Sequence, residues 1–235
     1  MIKKITSFIP NTITSLNLLS GCMAVICTFN LSEPMFGTAL TGTAWCYIFI
    51  ALAAMFDFCD GFSARLLHAY SPMGKELDSL SDLVSFGVAP GILMLNTIGA
   101  LSTASWVPFA ALLIPVCGAL RLAKFNIDDS QATSFAGLPI PANAIFWIGL
   151  SDWMAKYSFP GNTFIIVTIL LISLAMVSRF RMFSLKFKNL DIRENFRRYI
   201  IILAAALFVW SQGIAGLAWT IILYIIISLA VRNRD

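Results

Sequence analysis

Eight apolar runs, at about residues 12–31, 39–66, 76–100, 105–122, 139–155, 161–179, 197–212 and 214–231, leave this chain few ways to fold other than as helices. In hydrocarbon every backbone N–H and C=O must be paired within the protein, and a helix does this inside one segment. Runs near twenty residues also match a single bilayer crossing. With 59% hydrophobic and 12% charged residues and a mean hydropathy of +0.84, a water-soluble core is excluded. The expected fold is all-α, a polytopic transmembrane helix bundle of about eight spans. The last pair is short, because residues 199–231 must supply two crossings and therefore borrow flanking residues or sit where the bilayer is thin. Pro10 is expected to stop any helix before the first run, with Asn11 or Thr12 as its N-cap. Pro90 and Gly91 are expected to bend the third. Gly87 and Gly91, four apart, allow a close helix approach, within the chain in preference to a dimer seam.

Basic residues orient the bundle. With an even number of spans, both termini and the loops near 67–75, 121–138 and 180–196 share one side. That side carries Lys3, Lys4, Arg65, Lys75, Arg121, Lys124, Arg179, Arg181, Lys186, Lys188, Arg193, Arg197, Arg198, Arg232 and Arg234, and only Lys156 lies opposite. The positive-inside rule makes it cytoplasmic. The expectation is a multi-pass protein of the cell membrane with both termini in the cytoplasm and no nucleic-acid partner. The first run holds Ser15, Asn17 and Ser20 and no small-x-small site follows it, so no cleaved signal is expected. Five cysteines (22, 27, 46, 59, 117) form no C-x-x-C and do not pair with the single His68, so they read as small packing residues.

The exception to this apolar pattern is Asp57-Phe-Cys-Asp60-Gly61-Phe-Ser-Ala64-Arg65, followed by Gly74, Asp78 and Asp82. Ionisable groups in such surroundings are costly and mark function. On helices, Asp57 and Asp60 (i, i+3) share a face, as do Asp78 and Asp82 (i, i+4), so two facing helices can converge four carboxylates. Arg65 and Lys75 alone cannot neutralise them, which calls for one or two divalent ions. All-oxygen ligation points to Mg²⁺ or Mn²⁺. Gly61 removes a side chain where a bulky anion could approach the backbone, and Arg65 offers a fork for phosphate. A helix over Ala39–Leu66 would be about 42 Å long, more than the roughly 30 Å hydrocarbon core, so the aspartates come to lie at the cytoplasmic interface.

The pattern D-x2-D-G-x2-A-R-x8-G-x3-D-x3-D resembles, without departure, the signature of the CDP-alcohol phosphotransferase family, and Pro10-Asn11-Thr12-Ile13-Thr14 resembles its Pro-Asn-x-x-Thr opening. Ser79 to Pro90, Arg121-Leu-Ala-Lys-Phe-Asn126, Phe135 to Asn143 and Val177-Ser-Arg-Phe-Arg181 are similar to its phosphatidylserine synthase branch; Lys124 departs, where the branch more often has Arg. The resemblance covers about residues 10–188, with the pair 197–231 as an addition within a single membrane domain over 1–235. It implies transfer of a phosphatidyl group from CDP-diacylglycerol to L-serine, with release of CMP, in a homodimer. Asp57, Asp60, Asp78 and in part Asp82 would hold the metal, and Asp82 would be the general base. Asn11, Thr14, Gly61, Arg65 and Ser71 would contact the CDP part. Arg121, Lys124, Arg179 and Arg181 could recognise the serine carboxylate, although positive-inside topology accounts for basic residues here equally. The core pattern leaves other acceptors open, glycerol 3-phosphate or an inositol phosphate. A cation transporter is the rival class, and it predicts acids spread along a midplane path and often repeated halves.

Overall fold

Pro10 does not stop the first helix. In the computed structural model, which describes residues 8–127, 135–183 and 191–232, helix α1 runs Phe8–Cys27 with Pro10 at its third position. The first N–H groups of a helix have no intrahelical partner, so proline costs nothing there. Asn11 and Thr12 consequently lie inside the helix instead of capping it, and the Thr12 hydroxyl donates back to the Phe8 carbonyl at 2.8 Å. Lys3, Lys4, Lys186, Lys188 and Arg234 of the charge argument fall outside the described residues, as do the side chains of Arg181, Arg193 and Arg232.

Helix α2 (Gly42–Leu66) starts where the Thr41 hydroxyl accepts from Ala44 N at 3.3 Å. Helix α3 (Pro72–Asp82) starts where Ser71 accepts from Gly74 N at 3.0 Å, with Pro72 preset for the first turn. It passes through a π-helical segment, Leu83–Val88, into α4 (Ala89–Leu101). The expected bend at Pro90 and Gly91 is thus a widened turn just before them. Pro90 lacks an N–H, so the carbonyl of Phe86, four residues earlier, loses its helical donor; the buried Asn143 amide supplies one at 3.0 Å. The Trp147 indole holds that amide from its other end, donating to Asn143 Oδ1 at 2.7 Å.

Helices α5 (Leu113–Ile127), α6 (Ile140–Lys156), α7 (Asn162–Val177), α8 (Ile192–Gln212) and α9 (Gly216–Arg232) complete the bundle. A two-residue antiparallel pair, β1 (Phe135–Ala136) and β2 (Arg181–Met182), ties the chain before α6 to the chain after α7. Among the described residues, five helical stretches are long and apolar enough to cross a membrane: Phe8–Asn30, Gly42–Leu66, Pro72–Leu101, Val107–Ile127 and Asn195–Ala230. The last is broken at Gly213, and α8 and α9 fold back on one another. The chain is therefore an all-helical, multi-pass membrane protein.

Loop contacts sort the two ends of the bundle. At one end Lys75 donates to the Asn126 carbonyl and Lys124 to that of Val177. At the other, Ser102 bonds Asn162 and Lys156 reaches the Gln212 carbonyl. The interior forms two apolar clusters, one around Trp147, Met94 and Ile165, the other around Phe86, Leu93 and Ile50. Gly91 packs on Pro115 of the same chain, as its spacing suggested; a Cβ there would sit 2.8 Å from Pro115 Cδ. All five cysteines are free. Large apolar side chains such as Trp210, Leu203 and Leu171 face outward, as a lipid-facing surface requires.

Candidate active site

Helices α2 and α3 meet α1, and their acidic turns face each other. Carboxylate oxygens of Asp57, Asp60 and Asp78 lie within 4.8 Å of one another. Asp60 is 5% exposed and its Oδ2 is buried without a hydrogen-bond partner. Among the described residues no Lys or Arg forms an ion pair with the group. Three like charges this close repel strongly unless an opposite charge joins them. The orphaned Asp60 oxygen and the all-carboxylate donor set fit a hard divalent cation.

Asp82 stands at the edge of this group. Its carboxyl meets that of Asp57, and its Oδ1 accepts from Asn17 Nδ2 at 3.4 Å. Arg121, on α5, lies within electrostatic reach of Asp82; its guanidinium sits 6.0 Å over the Phe125 ring and its Nε is buried without a partner.

A cavity of about 570 Å³ opens on the other side of the group, with Asp60 and Asp78 in its wall. Asn11, Thr14, Gly61, Arg65 and Ser71 line it, so the five residues expected at the CDP part come together there. Arg121 does not line it and lies within electrostatic reach of Asp82. Nothing occupies the 4 Å around the position of a Cβ on Gly61, which leaves its backbone open to the cavity. Gly74 is the opposite case, since a Cβ there would lie 3.0 Å from both Asn11 Oδ1 and Ser71 Oγ. Sequence reasoning missed Lys75 and Tyr70 as lining residues and Asn17 as a partner of Asp82. The available signal for Asn17 was an amide in an apolar run, one turn beyond Thr14.

A multi-pass helical protein with a carboxylate cluster beside a cavity that Asn11, Thr14, Arg65 and Ser71 line is the setting for chemistry on a lipid-linked substrate at a membrane. The family model for CDP-alcohol phosphatidyltransferase matches residues 7–210, and the chain belongs to that family. It is 32% identical over 243 residues to the CDP-diacylglycerol–serine O-phosphatidyltransferase of Mycobacterium leprae, across 96% of this chain and 75% of that protein. The protein of the same name from Helicobacter pylori is 32% identical over 92% of this chain and 87% of its own length. That from Methanocaldococcus jannaschii is 35% identical over 73% of this chain and 74% of its own.

Proposed function

We propose that the chain transfers the phosphatidyl group of CDP-diacylglycerol to the hydroxyl of L-serine, giving phosphatidylserine and CMP. The observation that carries this reading is the division of the acidic group: Asp60 and Asp78 line the cavity that suits a nucleotide, whereas Asp82 does not line it and lies within electrostatic reach of Arg121. The reading places the donor in that cavity and the acceptor hydroxyl at Asp82. The names of the relatives favour serine as the acceptor.

Asp57, Asp60 and Asp78, with Asp82 in part, would hold one or two Mg²⁺ or Mn²⁺ ions. When bound, the metal supplies the positive charge that offsets the diphosphate and the leaving CMP. Arg65 offers a bidentate fork to phosphate, Asn11, Thr14 and Ser71 offer polar groups to the nucleotide, and Gly61 lets it approach the backbone. Met55, Phe58, Phe62 and Leu66 form an exposed apolar stripe on the same helix, suited to the acyl chains. The serine oxygen attacks the phosphorus that bears diacylglycerol, the bond to CMP breaks, and Asp82 takes the hydroxyl proton. A carboxylate near cations is a weak base, so the transfer belongs late on the path. Arg121, with Lys124, Arg179 and Arg181, would attract the serine carboxylate.

The same reading has the eight expected spans of a single domain crossing the plasma membrane. Both termini and the site then face the cytoplasm. The support is that Arg65, Lys75, Arg121 and Lys124 lie at one end of the bundle and Lys156 at the other. Homodimerisation rests on the family resemblance. The test is purified protein with CDP-diacylglycerol, Mn²⁺ or Mg²⁺ and a panel of alcohols, following CMP. Release with L-serine and not with glycerol 3-phosphate is expected; preference for the latter would replace the acceptor and leave the site chemistry in place.

A further inference from the structure

Asn17 takes no part in the nucleotide cavity or the metal-type cluster, yet its amide is fully buried at the seam between α1 and α3. Burying a primary amide in an apolar bundle is costly unless both ends are bonded. Here both are. Nδ2 faces Asp82 Oδ1 at 3.4 Å, and Oδ1 lies 2.7 Å from the hydroxyl of Ser85. Ser85 is itself fully buried, sits in the π segment, and also reaches the Asn17 carbonyl at 3.1 Å. An ionised carboxylate only accepts, so Asp82 takes the NH₂ end of the amide and leaves its oxygen to the Ser85 hydroxyl, which holds the group from the other side. Gly21, one turn further along α1, lets the π segment approach closely enough for this.

We propose that Asn17 is a positioning residue for the transfer reaction: its amide, held at its oxygen end by Ser85, fixes the rotamer of the Asp82 carboxylate on the side from which the acceptor hydroxyl arrives. The inference rests on the role of Asp82 given above. Without Asn17, Asp82 keeps its contact with Asp57 but is free to turn toward it, away from the hydroxyl. Small departures from productive geometry lower turnover without touching ground-state binding of the donor, which lies on the other side of the cluster.

The test is a double-mutant cycle in the full-length protein, reading kcat and KM from CMP release and Mn²⁺ affinity by electron paramagnetic resonance. Asn17→Ala should lower kcat by roughly tenfold or more, the scale of one lost hydrogen bond to a charged group. KM for CDP-diacylglycerol and Mn²⁺ affinity should stay within about twofold, since neither ligand touches the amide. Ser85→Ala should lower kcat in the same direction by less, and adding it to Asn17→Ala should cost nothing more, because Ser85 acts through Asn17. Should Asn17→Ala fail to accumulate, Ser85→Ala removes a single oxygen and carries the same split between kcat and KM. An unchanged kcat, multiplicative losses, or a fall in kcat matched by lost donor or Mn²⁺ affinity would overturn the proposal. Wild-type protein that releases no CMP with L-serine would instead overturn the functional reading beneath it.

Discussion

Replacing Gly21 by alanine is the sharpest structural test of the site. A Cβ at this position would sit 2.4 Å from Ser85 Oγ, 2.9 Å from Ser85 Cα and 3.0 Å from Ser85 N. The hydroxyl could rotate aside, but the backbone atoms cannot. Ordinary contact begins at 3.4 Å, so α1 and the π segment must separate by about 0.5 Å, in an interior packed too tightly to absorb it locally. Overpacking of this kind costs about 1–3 kcal/mol, offset by up to about 1 kcal/mol from the better helix propensity of alanine. The greater effect falls on turnover, because the shift lengthens an Asn17–Asp82 contact that is already 3.4 Å. A loss of roughly ten- to a hundredfold in kcat is expected. Two other glycines calibrate the result. Gly99→Ala meets only Pro108 Cγ at 3.8 Å and should leave activity unchanged, whereas Gly61→Ala projects into open cavity and should raise KM for the donor with little effect on stability. The assay is thermal unfolding in detergent together with CMP release for the three variants. If Gly21→Ala melts and turns over like wild type, the close approach of α1 does not hold the site together and the reasoning fails.

Asp57→Asn and Asp60→Asn should weaken Mn²⁺ and CDP-diacylglycerol binding together, measured by titration, while Asp82→Asn should keep donor binding and lose roughly 10² to 10⁴ in turnover; equal losses of affinity in all three would make Asp82 a ligand only. Chelation of divalent ions should abolish CMP release, and Mg²⁺ or Mn²⁺ should restore it; turnover that survives dialysis against chelator would remove the metal from the reading. Asn143→Leu should strand the Phe86 carbonyl and cost about 1–3 kcal/mol of stability, read from the unfolding midpoint. Glu76→Cys, in a background with the exposed Cys22 and Cys59 replaced by serine, should react with an impermeant reagent only from the cytoplasmic face, and labelling from outside would reverse the topology.

The helical class and the acidic site were legible because each rests on a strong local signal. Apolar length demands helices in hydrocarbon, and four aspartates at helical spacing have few purely structural uses. Two details escaped for the same physical reason. Pro10 and Pro90 both read as interruptions, but what a proline does depends on whether its missing donor was needed and on what else can pair the orphaned carbonyl. For Pro10 the answer lies within the first turn; for Pro90 it lies on Asn143, 57 residues from the Phe86 carbonyl it satisfies. Similarly, i, i+4 spacing put Asp82 on the face of Asp78 but could not say that α1 would offer it an amide. Asn17 lies 65 residues away in sequence, and only the packing of α1 across α3 brings them together.

The bond from Asn143 to the Phe86 carbonyl also bears on how the protein is made. Every residue of the acidic group emerges from the ribosome before α6 exists, yet the Phe86 carbonyl, in the turn that follows Asp82, draws a donor from Asn143 on that later helix. In a bilayer an unsatisfied backbone group is expensive, so α3 and α4 inserted alone favour a different local register. The widened turn beyond Asp82 gains its outside donor only when α6 lies beside it. A chain that stops short of α6 lacks that donor, so the turn beside Asp82 is held less firmly there than in the full bundle.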